Sequence, residues 1–166
     1  MKQALLLVAL GSFCSAATIN VPADYPTIQD AIDAAINGDT VLVVAGEYVI
    51  TEPIDFNRLH DPEDPGSPAV KDIVLRGEAG SEVTVIRLAE EFADAYRTSV
   101  VVFENGENDA SRLEGFTLTG GTVANHWPKC SGGVHCSGSS PTLVDCTITR
   151  NNGCNGGGIL CRDSSL

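Results

Sequence analysis

Aromatic residues are scarce: five phenylalanines, three tyrosines and one tryptophan make up 5% of 166 residues. Basic residues are scarce too, with 10 Lys plus Arg against 22 Asp plus Glu, a formal charge of −12. A chain this acidic repels a phosphate backbone, which argues against nucleic-acid binding. No apolar run is long enough to form a membrane span. No Cys-x-x-Cys occurs, so the cysteine spacings are not those of a zinc knuckle. The chain also has no Asn-x-Ser/Thr sequon, which removes N-glycosylation. Glycine, by contrast, is abundant at 17, and 43% of residues are hydrophobic. That balance excludes wholesale disorder and favours many turns and short strands over a helix bundle. The length suits one compact domain.

Residues 1–17 read as a secretory signal peptide. Lys2 supplies a positive start, Ala4 to Leu10 a short apolar core, and Ser15, Ala16 and Ala17 the small residues of a cleavage site. A buried N-terminal strand is the alternative. Cleavage leaves 9 basic and 22 acidic residues, or −13, and points to a secreted or cell-surface protein. Cys14 leaves with the signal. Cys130, Cys136, Cys146, Cys154 and Cys161 remain. The compartment permits disulfides, but an odd count leaves a thiol free or paired with another chain, and the pairing stays open. His126 and His135 lie near these cysteines without metal-site spacing, so no metal is expected.

The mature domain, 18–166, opens with one amphipathic helix expected over 27–37. Thr27 with Asp30 resembles a capping box. Ile28, Ala31, Ile32, Ala35 and Ile36 share one face, and Asn37-Gly38 suits a stop. From about residue 40 onward the chain reads as strand and turn. Strands are expected at Val41–Val44, Ile73–Leu75, Val83–Leu88, Val100–Phe103 and Phe116–Thr119.

A repeat appears in the last third. Gly132-Gly133-Val134-His135-Cys136 matches Gly157-Gly158-Ile159-Leu160-Cys161 at an offset of 25, and Ser139-Ser140 falls on Ser164-Ser165. Leu113 to Thr119 matches Leu143 to Thr149 at an offset of 30. The difference is a loop of variable length, Thr122 to Cys130, which carries His126, Trp127 and Pro128. A unit of two or three short strands without a helix implies a β-solenoid whose coils pair in parallel. Phe116 then stacks near Cys146, Leu118 near Ile148 and Cys136 near Cys161, while Thr117, Thr119, Thr147 and Thr149 face outward. Ladder geometry need not suit an S–S torsion, so the two stacked thiols can stay reduced. The helix is placed to cap the hydrophobic end.

The segment Ile19 to Ile32, followed by Gly38-Asp39-Thr40-Val41, resembles the opening of right-handed parallel β-helix proteins of the pectin-lyase-like superfamily. The Gly-Gly-Ile…Cys…Ser-Ser and Leu…Cys-Thr-Ile-Thr segments resemble the degenerate repeats of secreted bacterial members. The resemblance implies an all-β fold, a right-handed parallel β-helix with an N-terminal capping α-helix. It also implies further coils beyond Leu166, because the sequence stops mid-repeat without a C-terminal cap. The fold hosts lyases, esterases, hydrolases, epimerases and surface proteins without known activity, so it does not name a function.

Enzymes of that superfamily carry acids with Lys or Arg on the outer face of neighbouring coils, where carboxylates bind Ca²⁺ or act as acid and base. The candidates here are Glu114, Asp145 and Arg150, with Arg162 and Asp163 behind them. None recurs as a matched ladder. The acidic loop Asp61 to Gly66 can meet a cation but lacks the alternating ligands of a calcium loop. The expected function is therefore an exported β-helix repeat module, either a non-catalytic extracellular or cell-surface module or a glycan-binding one, with extracellular polysaccharide as the candidate partner. The alternative is the N-terminal part of a polysaccharide-active lyase or pectinesterase-like enzyme. An ice-binding solenoid, resting on the Thr-x-Thr pairs, is a minor alternative. Self-association through an uncapped end is also expected.

Overall fold

The computed structural model describes residues 15–89, 99–122, 132–153 and 155–166. The expected roles of residues 1–14, His126, Trp127, Cys130 and Cys154 lie outside the described residues.

The described chain is mostly β, with one short helix and three parallel sheets. The first sheet joins β1 (Thr18–Val21), β2 (Thr40–Val43), β5 (Val74–Gly77), β8 (Arg112–Glu114) and β11 (Thr142–Val144). The second joins β3 (Gly46–Ile50), β6 (Thr84–Leu88), β9 (Thr117–Thr119) and β12 (Thr147–Ile148). The third joins β4 (Ile54–Asp55), β7 (Val101–Phe103), β10 (Val134–Ser137) and β13 (Ile159–Arg162). From β2 onward the chain visits first, second and third sheet in rotation, four times.

Short alternating strands allow this. In β6, Thr84, Ile86 and Leu88 are buried while Val85 and Arg87 are half-exposed, as a period of two demands. Successive circuits stack like on like. Val41, Leu75, Leu113 and Leu143 form one inward column, and Tyr48, Ile86, Leu118 and Ile148 another. The third sheet contributes Ile54, Val101, Val134 and Ile159, beside Phe103, Cys136 and Cys161. Phe56 packs on Phe103 with ring centroids 4.4 Å apart. Both offsets, 25 and 30, are the registers of the sheets: Cys136 pairs with Cys161 and Thr117 with Thr147.

The helix α1 (Ile28–Ala34) lies against β1, β2 and β4. Ile28, Ala31 and Ile32 are buried, each at 2% exposure or less. Thr27 caps it, accepting from the Asp30 N–H at 3.1 Å while its hydroxyl donates to the Asp30 carboxylate at 2.6 Å. The helix ends at Ala34, short of the expected Asn37, and Ile36 is 47% exposed rather than covered. Two side chains, Asp39 and Lys71, explain the early stop. The Asp39 carboxylate accepts from the Ile36 N–H at 2.9 Å and, with its other oxygen, from the Ala17 N–H at 2.8 Å. The Lys71 ammonium donates to the carbonyls of Ile32 at 2.5 Å, Asp33 at 3.2 Å and Ala35 at 2.9 Å. These are the carbonyls a helix end leaves without partners. Burial pulls the Lys71 pKa down against the opposing pull of Asp33 and Asp39. The sheets also begin earlier than residue 40, because β1 already pairs with β2. Strands β3 and β4 lie where no strand is expected from the sequence, since β3 is largely exposed and β4 is only two residues long. Among the described residues, no helix is long and apolar enough to cross a membrane.

Candidate functional site

The outer face of the second sheet carries a groove of about 720 Å³. It is lined by Glu47, Arg87, Thr117, Thr119, Thr149 and Arg150 among others. Two outward columns build it. The first runs Glu47, Val85, Thr117, Thr147, and the second runs Val49, Arg87, Thr119 and on to Thr149. Outward placement follows from strand alternation, because Tyr48, Ile86, Leu118 and Ile148 point the other way. The Arg87 Nε donates to the Glu47 carboxylate diagonally across the strands. The Thr117 hydroxyl donates to the Ser81 carbonyl at 2.7 Å. Glu47 and Arg87 are absent from the candidates drawn from sequence. The only signal for Arg87 was its alternate position within an expected strand, and Glu47 gave none.

The five sequence candidates are spread over different parts of the molecule. Glu114 lies on the first sheet, where Arg76 Nε at 2.6 Å and Arg112 Nε at 2.5 Å each donate to one of its oxygens. Burial raises its pKa, but the bonds from Arg112 and Arg76 outweigh that and hold it below the usual carboxylate value. Asp145 is exposed at the corner after the first sheet, and Arg150 is exposed at the corner after the second. Arg162 lies in β13, paired with Ser137, and Asp163 follows it. Only Arg150 reaches the groove.

Three of these residues share a backbone property. Asp145, Arg150 and Asp163 have φ of 48°, 53° and 49°, the left-handed region. One circuit earlier, by the registers of 30 and 25, stand Gly115, Gly120 and Gly138 at φ of 73°, 81° and 63°. The corners therefore repeat a left-handed turn that glycine adopts freely and a side chain adopts at a cost. In the acidic loop, Asp61 accepts from the Glu63 N–H at 2.9 Å and Asp64 from the Gly66 N–H at 2.8 Å. Those carboxylates shape turns. Among the described residues, no group of three or more His, Cys, Asp or Glu side chains is placed to hold a metal ion.

A polar column not foreseen from sequence runs inside the corner after the third sheet. Buried Glu107 accepts from Asn57 Nδ2 at 2.9 Å, the Asn105 N–H at 3.0 Å and the Ser139 hydroxyl at 2.7 Å. Ser139 in turn donates its N–H to the Ser164 hydroxyl at 3.1 Å. The Ser139–Ser164 match was its one visible trace in the repeat. This carboxylate is enclosed and hydrogen-bonded, which fits a structural brace across circuits. Compared with family descriptions, with curated proteins and with solved structures, the chain matches none.

Proposed function

We propose that the chain is an exported, right-handed parallel β-helix module of the pectin-lyase-like kind that binds neutral glycan along its second sheet without turning it over. The rotation through three parallel sheets supports the β-helix, and right-handed crossover is the strong rule for parallel strands. The signal-like residues 1–17 support export.

The observation that carries the functional reading is the groove itself. It sets threonine hydroxyls beside the Arg87–Glu47 pair, with Glu47, Arg87, Thr117 and Thr119 on neighbouring strands. The Thr119 and Thr149 hydroxyls, which can donate and accept, and the Thr117 oxygen, which can accept while its proton goes to Ser81, are flanked by a charged fork and suit the vicinal hydroxyls of sugars. A formal charge of −12 disfavours long polyanions. Acid–base cleavage needs carboxylates converging on one bond. Here Glu47 is tied to Arg87, Glu114 sits between two arginines on another sheet, and Asp145 occupies a corner. The second reading, part of a polysaccharide-active lyase or pectinesterase-like enzyme, is favoured by one observation, the reach of Arg150 into the groove. The ice-binding alternative has less support, since Val85 and Arg87 replace threonine one circuit earlier in the two columns.

Affinity electrophoresis separates these readings. The mature chain should be retarded by a neutral polysaccharide such as galactan or xyloglucan, and Arg87→Ala should abolish the retardation. Retardation by no neutral polysaccharide contradicts the proposal. So does unsaturated product or methanol released from a polyuronate and lost in Arg150→Ala.

A further inference from the structure

We propose that Cys136 and Cys161 form a reversible disulfide, made by exchange with a small-molecule disulfide, that ties β13 onto β10. The inference rests on strand register and is independent of the glycan reading. The two residues are direct partners in the parallel pairing of β10 with β13. Both thiols are free, and as register partners on parallel strands the two side chains project from the same face of the ladder.

Paired residues on neighbouring strands lie about 4.8 Å apart, inside the range of roughly 4.4–6.8 Å between Cα atoms that a disulfide spans. Thiol–disulfide exchange runs in both directions, so the bridge reopens when the small-molecule pool turns reducing.

Exposure sets the order of events. Cys161 is exposed and Cys136 is fully buried. Burial, and then the neighbouring Cys161, push the Cys136 thiol up to about 12. The Cys161 thiolate therefore attacks first. It forms a bond to one sulfur of a disulfide such as oxidised glutathione, and the other sulfur leaves as a thiolate that takes up a proton. Cys136 then gives up its proton, attacks the Cys161 sulfur and expels the second glutathione. Two protein thiols are oxidised and one glutathione disulfide is reduced to two thiols. Cys146 does not compete from its place in the corner between β11 and β12. Its thiol faces the carbonyl oxygens of Leu113 and Val144, each at 3.3 Å.

The test equilibrates the folded chain with oxidised glutathione, blocks remaining thiols with maleimide, and digests with trypsin without reductant. Cleavage after Arg150 puts Cys136 and Cys161 on different peptides. In a chain carrying Cys130→Ser, Cys146→Ser and Cys154→Ser, those peptides should be joined in most molecules and separate on reduction. Two glutathione adducts, or two maleimide-blocked thiols, in a chain that keeps its β-sheet circular dichroism overturn the proposal. If the triple variant does not fold, tandem mass spectrometry of the wild-type digest decides. A bridge between Cys136 and Cys161 supports the proposal. A bridge from Cys161 to any other cysteine, or none, overturns it.

Discussion

The side-chain amide of Gln29 pairs with the backbone of Asp55 on both sides, donating to its carbonyl at 2.8 Å and accepting from its N–H at 2.9 Å. Strand β4 is the edge of the third sheet, and Gln29 stands where the next strand would be. The helix therefore closes a sheet edge by hydrogen bonds while it covers the core with isoleucines. Gln29→Leu keeps the volume and removes both bonds, leaving two backbone groups of the buried Asp55 unpaired. The cost should be about 1–3 kcal/mol per unsatisfied group. Urea unfolding checks it, and an unchanged midpoint would show that water replaces the amide at no cost.

Ile32 is fully buried under α1. Ile32→Asp places a charge there without a partner and should destabilise by several kcal/mol, roughly the scale for a buried unpaired polar group. A variant that unfolds at the wild-type urea concentration means the helix does not cap the core.

Glu114 predicts a pH dependence. Its folded-state pKa is depressed, so its ion pairs stabilise the fold at neutral pH and that contribution is lost as pH falls through the folded value. Both arginine side chains are well exposed, at 50% and 39%, so solvent screening keeps the gain below about 1 kcal/mol. Glu114→Gln should be less stable than wild type at pH 7, and the gap should close by pH 3. A gap as large at pH 3 as at pH 7 removes the ion pairs as its cause.

Arg150 holds a left-handed φ of 53° where the preceding circuit has Gly120. A residue with a Cβ pays roughly 1–2 kcal/mol for that conformation. Glycine is penalised by its extra freedom in the unfolded chain, roughly 0.5–1 kcal/mol. Arg150→Gly should therefore raise stability by a few tenths to about 1 kcal/mol by difference. Asp145→Gly should gain less, because Asp tolerates this region better. A fall in the unfolding midpoint of Arg150→Gly shows that the arginine side chain makes a contact worth more than the strain.

Much of this arrangement was legible because a period is a strong signal. The offsets of 25 and 30 place Cys136 against Cys161 and Leu118 against Ile148, since parallel stacking turns an offset into a register. The helix start was legible for a local reason, the Thr27–Asp30 cap. Its end was not, because Lys71 stops it from 36 residues away in the chain and leaves no local mark. Strands β3 and β4 escaped because one is mostly solvent-facing and the other is too short for a pattern. The groove was the least legible part. Glu47 and Arg87 meet only through the β3–β6 pairing, while the acids that stood out in sequence belong to corners and another sheet.

The central claim is that the outer face of the second sheet is a glycan surface. Amide chemical-shift mapping of the ¹⁵N-labelled chain from residue 18 onward tests it most directly. The probe is a neutral galactan hexasaccharide and, separately, a xyloglucan oligosaccharide. Shifts should cluster at Glu47, Val85, Arg87, Thr117 and Thr119, and vanish in Arg87→Ala. Shifts confined to Arg76, Arg112 and Glu114 on the first sheet, or no shifts at millimolar sugar with either probe, would contradict it.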